Sequence, residues 1–117
     1  VVPGAFINPD LTMGENIGDL GGLSMAYTAY QLSLGGKPAP VLEGLTGDQR
    51  FYMSWAQIWK GKYRDAALLN LIKTNPHSPA MYRANGPLRN IDAWYRAFDV
   101  KPEDAMYLPP EQRVRIW

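Results

Sequence analysis

The chain has no cysteine, a single histidine, and no apolar run that approaches the roughly 20 residues of a membrane-spanning helix. The missing cysteine excludes disulfides, thiolate nucleophiles and thiolate-held metals, and leaves the compartment open. One histidine is too few for a self-contained catalytic zinc, which takes three protein ligands drawn mostly from His, Asp and Glu. A serine or cysteine triad would have His77 as its only base. Charge of one sign is also lacking. The 12 basic and 11 acidic residues leave a net charge of +1, with no long-range field for nucleic acid or an anionic membrane. Residues 1–10 have neither the basic start nor the apolar segment of a signal peptide. What is present is a chain of 117 residues, enough for one domain or a piece of a larger one. Its 46% hydrophobic content is sufficient for a core. Composition therefore points to a soluble, mostly helical chain that is not a complete enzyme.

Residues Val1 to Gly14 contain Pro3, Gly4, Asn8, Pro9, Asp10 and Gly14, turn formers that predict a loop, as a cut inside a larger protein would leave. From Glu15 onward, Ile17, Leu20, Leu23, Tyr27, Tyr30 and Leu34 recur at helical spacing and predict a helix of roughly five turns. Gly35, Gly36, Pro38 and Pro40 stop it. After a loop to Gly47, a second helix is expected from Asp48 to Leu71, capped by Thr46 or Asp48. Its buried stripe would hold Phe51, Tyr52, Trp55, Ile58, Trp59 and Tyr63, with Gly61 as a weak point. Asn75-Pro76-His77-Ser78-Pro79 reads as a rigid turn. A short helix from Pro79 would be closed by Asn85, Gly86 and Pro87. Asn90 would cap a last helix burying Ile91, Trp94 and Phe98. The tail, Lys101 to Trp117, reads as a short strand or an extended segment docked on the body.

Chemistry concentrates in three places. Glu15 and Asp19 are four residues apart, so a helix sets both carboxylates on one face. The glycines around them each cost roughly 1 kcal/mol inside a helix, and Gly18 and Gly22 would let another backbone come close. This pattern fits a working site, and it fits dipole-favoured acids with tight packing, which is the commoner case. His77 is framed by two prolines, either as a ring satisfied by its own turn or as one presented to donate a hydrogen bond. Arg83 could reach the same space, where its fork of donors suits a peptide carbonyl or carboxylate; a surface salt bridge is the ordinary alternative. Most of the stripe from Phe51 to Tyr63 is expected to be core, with one or two rings at the edge of a pocket.

Four linked stretches carry a resemblance: Leu11-Thr12-Met13-Gly14-Glu15-Asn16-Ile17-Gly18-Asp19-Leu20-Gly21-Gly22-Leu23, Trp55-Ala56-Gln57-Ile58-Trp59, Pro76-His77-Ser78-Pro79 and Tyr82 to Leu88, with a Trp ending the chain. Their order and spacing over essentially all 117 residues resemble the C-terminal part of the neprilysin family of zinc endopeptidases, which includes endothelin-converting enzymes and bacterial secreted oligopeptidases. The resemblance implies a mainly α fold, the helical C-terminal portion of a larger zinc-metalloprotease catalytic domain with long irregular connections, filling residues 1–117. It implies that Glu15 is the third zinc ligand and that Asp19 orients a zinc-binding His. It implies further that His77 stabilises the tetrahedral oxyanion, that Arg83 grips the substrate backbone on the primed side, and that Ile58 and Trp59 line the pocket for the first primed side chain.

The reaction so implied is peptide-bond hydrolysis, with one zinc ion and a glutamate base activating water. The His-Glu-x-x-His helix that supplies the base and two ligands is absent here and lies upstream in the family. The chain alone is therefore expected to be inactive and not to retain zinc. Its partners would be peptide substrates and the upstream half of the same catalytic domain, with no nucleic acid and no membrane contact from this segment. The family's members mostly work outside the cytoplasm. Departures are Gly18 for the usual Ala, Asn75 where Asp is common, which leaves His77 without an acidic neighbour in its turn, and missing vertebrate cysteines, which fits a bacterial member. The competing expectation is a non-catalytic helical module that binds a peptide or protein without zinc.

Overall fold

A computed structural model describes residues 2–116, so Trp117 and its match to the family's ending lie outside the described residues. Five α-helices follow in order: α1 (Pro9–Ser33), α2 (Gly47–Ile58), α3 (Asp65–Thr74), α4 (Ala80–Leu88) and α5 (Asp92–Phe98), with a 3-10 turn at Pro110–Gln112. No strand occurs among the described residues; a single bridge joins Leu42 and Leu45. The expected mainly α architecture is present. None of the described helices is long and apolar enough to cross a membrane.

α1 begins six residues before its expected start. Asn8, Pro9 and Asp10 are not loop residues here but a helix start: the Asn8 side chain accepts from the Asp10 N–H at 3.0 Å and Pro9 occupies the first helical position. The helix runs for 25 residues and ends before Gly35 and Gly36, whose φ values of +58° and +76° suit glycine.

The expected helix over Asp48–Leu71 is two helices. α2 opens on a full capping box between Thr46 and Gln49 and stops at Ile58. Residues 59–64 are non-helical around Gly61, and α3 restarts at Asp65. Apolar spacing continues through this break, but Ile58 is 66% and Tyr63 is 53% exposed, so no buried stripe holds the two helices as one. α4 runs through Asn85-Gly86-Pro87, which had been expected to end it. Pro87 falls in the last turn, buried beside Leu88, and Arg89 N–H closes the helix on the Asn85 carbonyl. Asn90 does not cap α5. Its amide donates to the Gly86 carbonyl and accepts from the Val114 N–H, tying α4 to the tail instead.

The core joins Leu20 and Leu23 of α1, Tyr52 of α2, Leu88 at the end of α4, and Ile91, Trp94 and Tyr95 at α5. Phe98, expected inside, is 38% exposed. α1 packs on α4, and α2 packs on both α4 and α5. Side chains latch α1 to α2: the Tyr27 hydroxyl and the Gln31 amide donate to the two Asp48 carboxylate oxygens, each at 2.9 Å. Burial, then the Asp48 contact, push the Tyr27 hydroxyl up to about 12. The tail is extended and docked. Arg113 stacks over Tyr95 at 3.6 Å and donates to Asp92 at 2.8 Å, while Arg115 donates to the other Asp92 oxygen at 2.7 Å.

Candidate functional site

Helix α1 sets Glu15 and Asp19 one turn apart, as their spacing requires. The α1–α4 packing brings Arg83 to Asp19, and the 75–79 turn that precedes α4 brings His77 to Glu15. Four polar residues, two from α1 and two from the turn and helix far along the chain, thus meet on one side of the molecule.

The 75–79 turn is shaped by Asn75. Its Oδ1 accepts from the His77 backbone N–H at 2.9 Å and faces His77 Nδ1 at 2.8 Å. A carbonyl oxygen only accepts, so Nδ1 carries a hydrogen. His77 Nε2 lies 3.0 Å from Glu15 Oε2. The Nε2 contact is a hydrogen bond when one proton lies between Nε2 and Oε2. Asn75 orients the ring in place of an aspartate, and the acidic neighbour of His77 is Glu15 itself.

Arg83 and Asp19 form a fork. Nε donates to Oδ2 at 2.7 Å and Nη2 to Oδ1 at 2.8 Å, with the side chains only 17% and 10% exposed. The Asp19 hydrogen bond holds the Arg83 guanidinium above its ordinary pKa. The guanidinium carbon also stands 4.1 Å over the Trp59 ring. With Nε and Nη2 committed to Asp19, Nη1 is left without a hydrogen bond among the described residues.

Beside these groups lies a cavity of about 220 Å³ walled by Trp59, Tyr63, Leu68, Leu71, Asn75, His77, Ser78, Pro79, Ala80 and Arg83. Trp59 therefore stands at a pocket, and its buried Nε1 has no partner among the described residues. Ile58 does not line this cavity within the chain; it is an exposed residue at the end of α2. A larger cavity of about 530 Å³ runs between α1, α4 and the tail, with Asn16, Asp19, Ser78 and Arg83 on its wall.

The close approach of Gly18 and Gly22 to another backbone does not occur among the described residues. A Cβ placed at Gly14, Gly18 or Gly22 would meet nothing within 4 Å. Two residues that were not singled out do belong to the assembly. Ser78 Oγ donates to Asn16 Oδ1 at 2.8 Å, linking the turn to α1. Both sit inside motifs that were, each next to a residue already chosen, but sequence spacing alone cannot pair residues 62 apart.

Among the described residues no cluster of three His, Cys, Asp or Glu side chains could hold a metal. Glu15 and His77 together supply one carboxylate and one imidazole, a partial donor set for zinc.

The model of peptidase family M13 matches residues 3–114. Human neprilysin is 40% identical over 118 residues, covering 97% of this chain and 15% of the relative. Mouse membrane metallo-endopeptidase-like 1 is 42% identical over 115 residues, covering 95% and 15%. The crystal structure of the Mycobacterium tuberculosis zinc metalloprotease Zmp1 in complex with an inhibitor superposes with a TM-score of 0.96 at 56% identity, covering 98% of this chain and 18% of that one. The chain thus spans about 15% of the length of the curated relatives it matches.

Proposed function

The chain belongs to peptidase family M13, the neprilysin family, and from this we propose that its 117 residues are the C-terminal part of a catalytic domain that hydrolyses peptide bonds in oligopeptides with one zinc ion. The observation that carries this proposal is the meeting of Glu15 with His77 and of Asp19 with Arg83 on one side of the molecule.

The donor chemistry fits zinc in part. Glu15 is a half-exposed carboxylate, open to a metal held by another segment. Its role is the carboxylate ligand that completes a site whose two histidines lie outside this chain. Zinc, when bound, polarises the scissile carbonyl and activates water for attack. His77 then serves as the oxyanion donor: with Nδ1 held by Asn75, its Nε2–H points outward beside Glu15, where charge develops during attack. Arg83 takes the substrate backbone. Asp19 and Trp59 fix its plane and leave Nη1 for a peptide carbonyl. Both Asp19 oxygens serve Arg83, and each keeps a second lone pair for the N–H of a zinc-binding histidine. Trp59 forms a wall of the pocket for the first primed side chain, and Ile58 joins it only when the rest of the domain closes over the end of α2.

The partners are peptide substrates and the upstream half of the domain. Alone, the chain is inactive and holds no zinc firmly, since the general base and two ligands are elsewhere. By family resemblance the complete protein works outside the cytoplasm. The deciding measurement is zinc per chain in the complete protein beside its Glu15→Ala variant. About one zinc in the parent and little in the variant, with peptide cleavage lost in step, is the expected result. Full zinc and full turnover in Glu15→Ala would overturn the ligand assignment. No zinc in either protein would favour a non-catalytic helical module.

A further inference from the structure

The hydrogen bond between Ser78 and Asn16 has no part in the roles assigned so far. We propose that Asn16 and Ser78 are positioning residues that fix where the His77 imidazole stands relative to Glu15; this rests on the functions proposed above for those two side chains.

Only two side-chain hydrogen bonds or ion pairs join the 75–79 turn to α1 among the described residues, and they differ in kind. The His77–Glu15 contact is open to solvent, with side chains 41% and 46% exposed. An exposed pair of this sort holds little geometry against thermal motion and salt. The Ser78 hydroxyl is shielded, on a residue only 6% exposed, and donates to Asn16 Oδ1 at 2.8 Å. A buried donor that loses its acceptor is penalised, so this bond resists opening.

The acceptor is itself oriented. Asn16 Nδ2 points to Thr12 Oγ1 at 3.4 Å, and the Thr12 hydroxyl donates to the Asn8 carbonyl at 3.1 Å. Thr12 is 2% exposed. The amide therefore has a fixed sense, with Oδ1 turned to Ser78 and Nδ2 turned along the helix. The bond lies one residue from His77 at one end and one residue from Glu15 at the other. Its length thus sets the distance between the oxyanion donor and the metal-ligand carboxylate. Ser78 also lines both cavities, the Trp59 pocket and the α1–α4 groove.

The test is a mutant cycle in the complete, zinc-loaded protein. Ser78→Ala and Asn16→Ala are each expected to lower kcat for a peptide substrate about 10- to 100-fold, the scale of a displaced catalytic group. KM moves far less than kcat and zinc per chain is unchanged, because the proposal gives neither residue a hydrogen bond to substrate or a bond to metal. The double variant loses no more than the worse single, since the two share one bond. In a His77→Ala background, Ser78→Ala adds nothing to the loss. Amide exchange over residues 76–79 rises in Ser78→Ala, which reports the released turn independently of turnover. Parental kcat in Ser78→Ala, while His77→Ala is impaired, overturns the inference. So does a Ser78 effect that persists undiminished in the His77→Ala background. Failure of the underlying function looks different: His77→Ala itself then keeps parental kcat, and both proposals fall.

Discussion

Tyr52 is 1% exposed, yet its hydroxyl has no hydrogen-bond partner among the described residues. Burial pushes that hydroxyl's pKa well above its ordinary value. An unpaired buried hydroxyl costs about 1–3 kcal/mol, while the ring around it packs well. Tyr52→Phe is therefore expected to leave the thermal midpoint of the complete protein unchanged or higher; a clear drop would mean that the hydroxyl has a partner outside this chain. Gly47 is the opposite case. A Cβ there would stand 2.4 Å from the Ala39 Cβ and 2.2 Å from the Tyr30 hydroxyl. Gly47→Ala should destabilise by about 1–3 kcal/mol as the loop before α2 is displaced, which chemical denaturation will measure. At Arg83 the fork matters as much as the charge. Arg83→Lys keeps the cation but cannot meet both Asp19 oxygens in one plane. It should raise KM for peptides roughly tenfold, the worth of one charge-assisted hydrogen bond, with zinc per chain unchanged; an unaltered KM would remove Arg83 from substrate binding.

Elements show what could be read in the sequence and what could not. The existence of α1, α4 and α5 follows from apolar spacing and punctuation, but their ends do not. Asn8-Pro9-Asp10 is both a turn signature and a helix start, and only the Asn8 bond to the Asp10 N–H decides between them. The split between α2 and α3 was hidden because apolar spacing continues through Ile58 and Tyr63, which packing then leaves exposed. Glu15, Asp19, His77, Arg83 and Trp59 stand out as candidates through their motifs, and their pairing appears only once α1 and α4 pack. The tail was legible as extended and docked; its anchor at Asp92 was not. That anchor has a pH signature. The Arg113 hydrogen bond holds the Asp92 carboxyl below its ordinary value. Its stabilisation is full above the unfolded value near 4 and disappears as pH falls through the lowered one. Asp92→Asn should flatten the acid limb of the stability curve and let trypsin cut after Arg113 or Arg115 at neutral pH. An acid limb identical to the parent's would show that the tail is held by its other contacts, the Tyr95 stack and the Asn90 hydrogen bond among them.

On the scale of the whole molecule, α1 displays an outer face with no charge from Leu20 to Ser33. Gly14, Gly18 and Gly22 stand open, while Met25 and Leu32 are 57% and 76% exposed. A continuous apolar face of this kind marks a contact surface. Expressed on its own, the chain should bind the dye ANS and self-associate at micromolar concentration, and the complete protein should do neither. A monodisperse, dye-silent chain would show that this face is content in water.

The stacking of Trp59 on Arg83 has an optical consequence. Indole emission depends on polarity and charge within a few ångströms, and here the nearest charge is the guanidinium proposed to grip the substrate backbone. A peptide that takes up Nη1 and fills the adjoining cavity changes both at once. The intrinsic fluorescence of the protein is thus a label-free gauge of peptide occupancy, one whose response Trp59→Phe would silence while Trp55, Trp94 and Trp117 still emit.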